Sequence, residues 1–127
     1  MGSDARSVQE ARDFATATVL RWGAAERHED IAVVASELVT NALRHGRPDS
    51  GEPGSRWPIR VGLVQPGPCV VCAVADPSTK PPALTELDNL AETGRGLRVI
   101  DALSDQWGYT VPRGMGKIVW ALFGPVP

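Results

Sequence analysis

The segment from about Arg27 to His45 constrains this chain more than any other. Ile31, Val34, Ala35, Leu38 and Ala42 recur at the three- and four-residue spacing of a helix with one apolar face. Glu37, Asn41 and Arg44 or His45 fall at i, i+4 and i+7 or i+8, so a stripe of carboxylate, carboxamide and cation runs along a different face. Glu29 and Asp30 favour the positive N-terminal end, and Arg44 and His45 the negative C-terminal end. Gly46 and Pro48 stop the helix. Such an apolar stripe has to be buried against a second layer of structure.

The flanking segments say what that layer is. Ser7-Val8-Gln9-Glu10 reads as a capping box, followed by Val8, Ala11, Ala15, Val19 and Trp22 at helical spacing and a stop at Gly23. Residues 46 to 56 are rich in Gly, Pro, Asp, Ser and Arg and read as a loop. Trp57 to Val64 and Cys69 to Ala75 read as strands joined by the turn Gln65-Pro66-Gly67-Pro68. From Pro77 to Thr93 periodicity disappears, apart from a short helical turn near Leu84 to Leu90, as expected of a lid. Gly94-Arg95-Gly96 opens a third helix, with Leu97, Ile100 and Leu103 on one stripe. Trp107 to Val111 and Ile118 to Phe123 form a final hairpin. The expected architecture is α+β: a two-layer sandwich of a mixed, mostly antiparallel sheet with about three helices on one face. Residues 1–127 form one expected domain, with no internal repeat.

Composition narrows the function classes. The chain is 43% hydrophobic and 22% charged, which is globular rather than disordered. A net charge of −2 gives no basic footprint for nucleic acid. No apolar run is long enough to cross a bilayer, and Met1-Gly2-Ser3-Asp4 has no apolar signal-peptide core, so the expected location is the cytoplasm. Cys69 and Cys72 form a C-x-x-C, but no second pair follows and both histidines, His28 and His45, lie far upstream. Positions three apart on a strand face opposite sides, so two reduced thiols are the better reading than a zinc or redox site. His28 ahead of Glu29 reads as a surface residue at a helix start. Trp22, Trp57, Trp107 and Trp120 read as packing residues at element ends.

The stripe on the second helix carries the chemistry. Asn is a poor helix-interior residue, so its place between a Glu and cationic side chains calls for a reason. Mg²⁺ takes oxygen ligands, Arg pairs with phosphate, and a Glu can orient or deprotonate a nucleophile. The stripe therefore suits Mg²⁺-ATP, while an ordinary solvated helix face would also carry such a mixture. Two glycines flanking Arg95 at a helix start would let backbone N–H groups approach an anion.

Glu37-Leu38-Val39-Thr40-Asn41-Ala42-Leu43-Arg44-His45-Gly46 resembles the N-box of the histidine-kinase-like ATPases, in the form found in anti-sigma-factor serine/threonine kinases and their actinobacterial relatives. Three further segments resemble that family in the expected order. Val74-Ala75-Asp76 is similar to the strand end that reads adenine. Thr93-Gly94-Arg95-Gly96-Leu97 is similar to the glycine box closing the ATP lid, and Gly116-Lys117-Ile118-Val119-Trp120 to the last strand. The resemblance covers residues 7 to 123 and implies ATP and Mg²⁺ as cofactors. By it, Asn41 would hold Mg²⁺, Asp76 would accept a hydrogen bond from the adenine amino group, and Arg44 would approach the phosphates. Gly94, Arg95, Gly96 and Leu97 would close over them, and Glu37 would be the base activating a partner's Ser or Thr hydroxyl. The implied partners are a STAS-domain anti-anti-sigma protein and a sigma factor, with a possible homodimer.

The chain departs from the family pattern at two places. Asp76 is followed by Pro77-Ser78-Thr79-Lys80-Pro81-Pro82 instead of Asp-x-Gly-x-Gly, and Ile118 stands where relatives often carry Thr. These departures keep open a regulator that captures a partner without phosphorylating it, with or without nucleotide.

Overall fold

The computed structural model describes residues 2–23, 25–47, 57–82, 91–114 and 116–125. Helix α1 (Gly2–Arg21) leads through a 3₁₀ turn (Ala25–Arg27) into α2 (His28–His45). Strands β1 (Arg60–Val64) and β2 (Val70–Asp76) follow, then α3 (Ala91–Leu103), β3 (Gln106–Thr110) and β4 (Lys117–Phe123). The sheet order is β1-β2-β4-β3. Each neighbouring pair is antiparallel, so the α+β sandwich expected from the sequence is present with no parallel pairing among the described strands.

Alternation decides which face of the sheet the helices cover. On β2 the buried residues are Val70, Cys72, Val74 and Asp76, and on β4 they are Lys117, Val119, Ala121 and Phe123. The register sets Val70 opposite Phe123, Cys72 opposite Ala121, Val74 opposite Val119 and Asp76 opposite Lys117. All eight therefore point to one side, toward the helices. The apolar members join Ala11, Ala15 and Val19 of α1, Ile31, Val34, Ala35 and Leu38 of α2, and Leu97 and Ile100 of α3 in one core.

Helix α2 is the centre of the helical layer, packing on α1, α3 and β2. That placement explains why its buried arc is wider than its apolar stripe, taking in Ala32, Ser36 and Val39 as well. Small side chains at buried positions on both α1 and α2 let the two helices approach closely. Arg27 fastens the 3₁₀ turn to the far end of the sheet. Its guanidinium donates to Leu103 O at 3.1 Å and Gly124 O at 3.0 Å, and lies 5.1 Å from the centre of the Phe123 ring.

Three elements begin three or more residues away from where the sequence reading sets them. Helix α1 begins at Gly2, so Ser7 lies inside it and is no N-cap. Strand β1 begins at Arg60 instead of Trp57, because Pro58 has no N–H for a ladder. Helix α3 begins at Ala91, three residues before Gly94. The helical turn expected near Leu84 to Leu90 lies outside the described residues.

Candidate functional site at the corner of α2 and β2

Asp76 is the last residue of β2 and is 4% exposed. Alternation from Val70 places it on the apolar face, where an ionised carboxylate needs a partner. Lys117, the first residue of β4, supplies it: Nζ donates to Asp76 Oδ1 at 2.9 Å, with both side chains 2% exposed. The same Oδ1 accepts the Ser78 backbone N–H at 2.9 Å. Ser78 Oγ in turn accepts the Lys80 N–H at 3.1 Å. The Pro77-Ser78-Thr79-Lys80 departure thus forms a hydrogen-bonded turn that folds back on Asp76, a local side-chain-to-backbone arrangement that Ser and Asp favour.

Two glycines close the corner. A Cβ on Gly46 would lie 2.6 Å from Asp76 Cγ, 2.7 Å from Asp76 Cβ and 2.6 Å from Ala42 O, so the end of α2 sits directly on the carboxylate-bearing side chain. Gly116 has φ +72, and a Cβ there would collide with the Asp76 carbonyl oxygen and Pro77. Ala42 O, at the C-terminal end of α2, accepts from Gly46 N at 2.8 Å and from the Trp57 indole N–H at 3.2 Å. Trp57 therefore borders this corner as well as packing at an element end.

The polar stripe of α2 runs toward the same corner. Glu37 and Asn41 are half-buried and Arg44 is exposed. At a rise of about 1.5 Å per residue, the stripe extends roughly 10 Å along the helix, and Asn41 is next to the Ala42 carbonyl described above. Ser36 and Thr40 do not contribute: their hydroxyls donate to Val33 O at 2.7 Å and Ser36 O at 2.8 Å within the helix. The Leu97 side chain is buried in the core, 3% exposed, so any part it has in closing a site is through its backbone. Gly94, Arg95 and Gly96 fall within the first two turns of α3, and the unpaired amides of its first turn precede Gly94. The expectation that Gly94 and Gly96 themselves offer helix-start amides is corrected accordingly.

This donor set fits a purine nucleotide with a divalent cation. A fixed, buried carboxylate suits an exocyclic amino group, and the side-chain oxygen of Asn41 suits a hard cation that takes its other ligands from phosphates and water. Among the described residues no group of three or more His, Cys, Asp and Glu could hold a metal alone. The thiols are free, with Cys69 half-buried and Cys72 buried, and burial pushes the Cys72 thiol up to about 12. A separate hollow of about 200 Å³, lined by Trp22, Arg27, Ile31, Val70 and Phe123, opens at the other end of β2 and holds none of the expected site residues. No described helix is long and apolar enough to cross a membrane.

Sequence reasoning missed Lys117, Ser78 and the packing role of Gly46. Counting back by twos from Phe123 puts Lys117 on the apolar face, and that alternation was the available signal.

No curated protein gave a significant match to the chain. A family profile for the histidine kinase-like ATPase domain matches residues 1–123. With nearly the whole chain matched and an antiparallel sheet covered by helices, this protein belongs to the histidine kinase-like ATPase domain family.

Proposed function

We propose that the chain is an ATP-binding regulatory protein of the anti-sigma-factor serine/threonine kinase type, which phosphorylates a STAS-domain anti-anti-sigma protein and sequesters a sigma factor. This reading is supported by the close approach of Gly46 to Asp76, which sets the end of α2, the helix that carries Glu37, Asn41 and Arg44, against the end of β2. Asp76 accepts from the base amino group, Asn41 offers its carbonyl oxygen to Mg²⁺, and Arg44 pairs with phosphate oxygens. ATP supplies the phosphoryl group when bound. The Glu37 carboxylate takes the proton of the partner's hydroxyl as that oxygen bonds to the terminal phosphorus and ADP departs.

A second reading has support in the turn after Asp76, where Ser78 and Lys80 stand at the positions of the two family glycines. It is a regulator that captures its partner without transferring phosphate. Calorimetric titration with ATP, with and without Mg²⁺, tests the nucleotide site. Mg²⁺-dependent binding that Asn41→Ala weakens supports it, and no binding at millimolar ATP refutes it. Incubation of the Glu37→Ala variant with labelled ATP and a STAS-domain partner separates the two readings. Kinase function requires transfer by the wild type and its loss in the variant, with capture intact; no transfer by the wild type leaves the capture reading.

A further inference from the structure

The Asp76–Lys117 pair joins strand ends 41 residues apart in sequence. Asp76 Oδ1 accepts two hydrogen bonds from different elements: the Lys117 ammonium on β4 and the Ser78 N–H in the following turn. A carboxylate anchored at one oxygen from two directions cannot rotate about its Cβ–Cγ bond without breaking both bonds. Gly46 packs against Cβ and Cγ, and Gly116 packs against the backbone, so the side chain cannot relax by translation either. An oxygen already accepting two donors has its lone pairs filled, which leaves a further donor to Oδ2.

We propose that Lys117 is a positioning residue for base selection: by holding Asp76 Oδ1, it orients the carboxylate so that Oδ2 accepts from a purine amino group and rejects a purine carbonyl. The inference rests on the nucleotide reading above and deepens it. It predicts a preference for adenine over hypoxanthine, because an oxo group at the same ring position sets two acceptors against each other. A site built around a buried hydrogen bond discriminates strongly when the matching group is absent, since the buried partner is left unpaired.

The test compares ATP with inosine triphosphate, which has the same phosphates and an oxo group in place of the amino group. In the wild type, ATP is expected to bind at least about tenfold more tightly than inosine triphosphate, the discrimination typical of a charged hydrogen bond. Lys117→Met, which keeps the stem and removes the ammonium, is expected to bring the two affinities within about threefold, and Lys117→Arg to retain the preference. A folded Lys117→Met protein with the wild-type ratio overturns the inference. So does a wild type that prefers inosine triphosphate, which would make the ammonium the reader.

A measurement on the wild type covers the case in which Lys117→Met does not fold. Lys80 and Lys117 are the two lysines of the chain, so ¹⁵N-lysine labelling with Lys80→Arg for assignment isolates the Lys117 ammonium signal. That signal is expected to shift on saturation with ATP and to stay in place with inosine triphosphate. An unmoved signal at saturating ATP overturns the inference while leaving nucleotide binding intact. Failure of the wild type to bind ATP at all removes the nucleotide reading and this inference with it.

Discussion

Gly46→Ala isolates the contact that holds the two halves of the candidate site together. The backbone tolerates alanine, since Gly46 has φ −91 and ψ 15. Alanine there would by itself stabilise the protein by up to about 1 kcal/mol, through the smaller conformational freedom of the unfolded chain. Against that gain stand three heavy atoms under 3.0 Å from the new methyl group: Ala42 O, Asp76 Cγ and Asp76 Cβ. None can yield cheaply. The carbonyl belongs to the end of α2, and Asp76 is fixed by Lys117 and Ser78. Overpacking of this kind costs about 2 to 3 kcal/mol, so with the full backbone gain set against it the net loss is about 1 to 2 kcal/mol. A chain of this length unfolds with an entropy of about 0.27 kcal/mol/K, which converts that loss to a Tm about 4 to 7 °C lower. Differential scanning calorimetry of the two proteins reads the shift, and ATP titration reads whether the displaced carboxylate still binds. A Gly46→Ala protein with an unchanged or higher Tm would mean that the backbone gain went unopposed, and the close packing of α2 on Asp76 would be refuted.

Arg27→Ala removes two hydrogen bonds to main-chain carbonyls and the stacking on Phe123, and should lower stability by about 2 kcal/mol; its pair with the half-exposed Asp105 adds little. Denaturant melts check this, and an effect under about 0.5 kcal/mol would contradict the fastening role. The thiols should differ in reactivity at pH 8: Cys69 is labelled by a thiol reagent in the folded protein, and Cys72 only after unfolding. The Cys72 thiol, raised from 9.0 to about 12 by burial, stays protonated in the folded state while the unfolded chain ionises. Its stabilising contribution is therefore complete below pH 9 and is lost between about pH 9 and 12, at about 1.4 kcal/mol per pH unit, and a Cys72→Ala protein should lack that part of the alkaline decline.

What could be read from the chain alone was whatever local spacing encodes. The three- and four-residue recurrence from Ile31 to Ala42 fixed a helix and its buried side, and the short apolar runs Cys69 to Ala75 and Ile118 to Phe123, bounded by turn residues, fixed strands. The same spacing put Glu37, Asn41 and Arg44 on one stripe. Boundaries were less legible, because a cap-like Ser7 and the glycines at 94 and 96 carry local preferences that the helices override. The tertiary structure alone decided the strand order β1-β2-β4-β3, since α3 and β3 intervene before β4 returns beside β2. That return pairs Asp76 with Lys117, and it brings Gly46 onto the carboxylate from a helix that ends before either strand begins. No local pattern could announce these meetings: a side chain's periodicity says which face it occupies, whereas its partner across the sheet is set by register, which only the folded chain possesses.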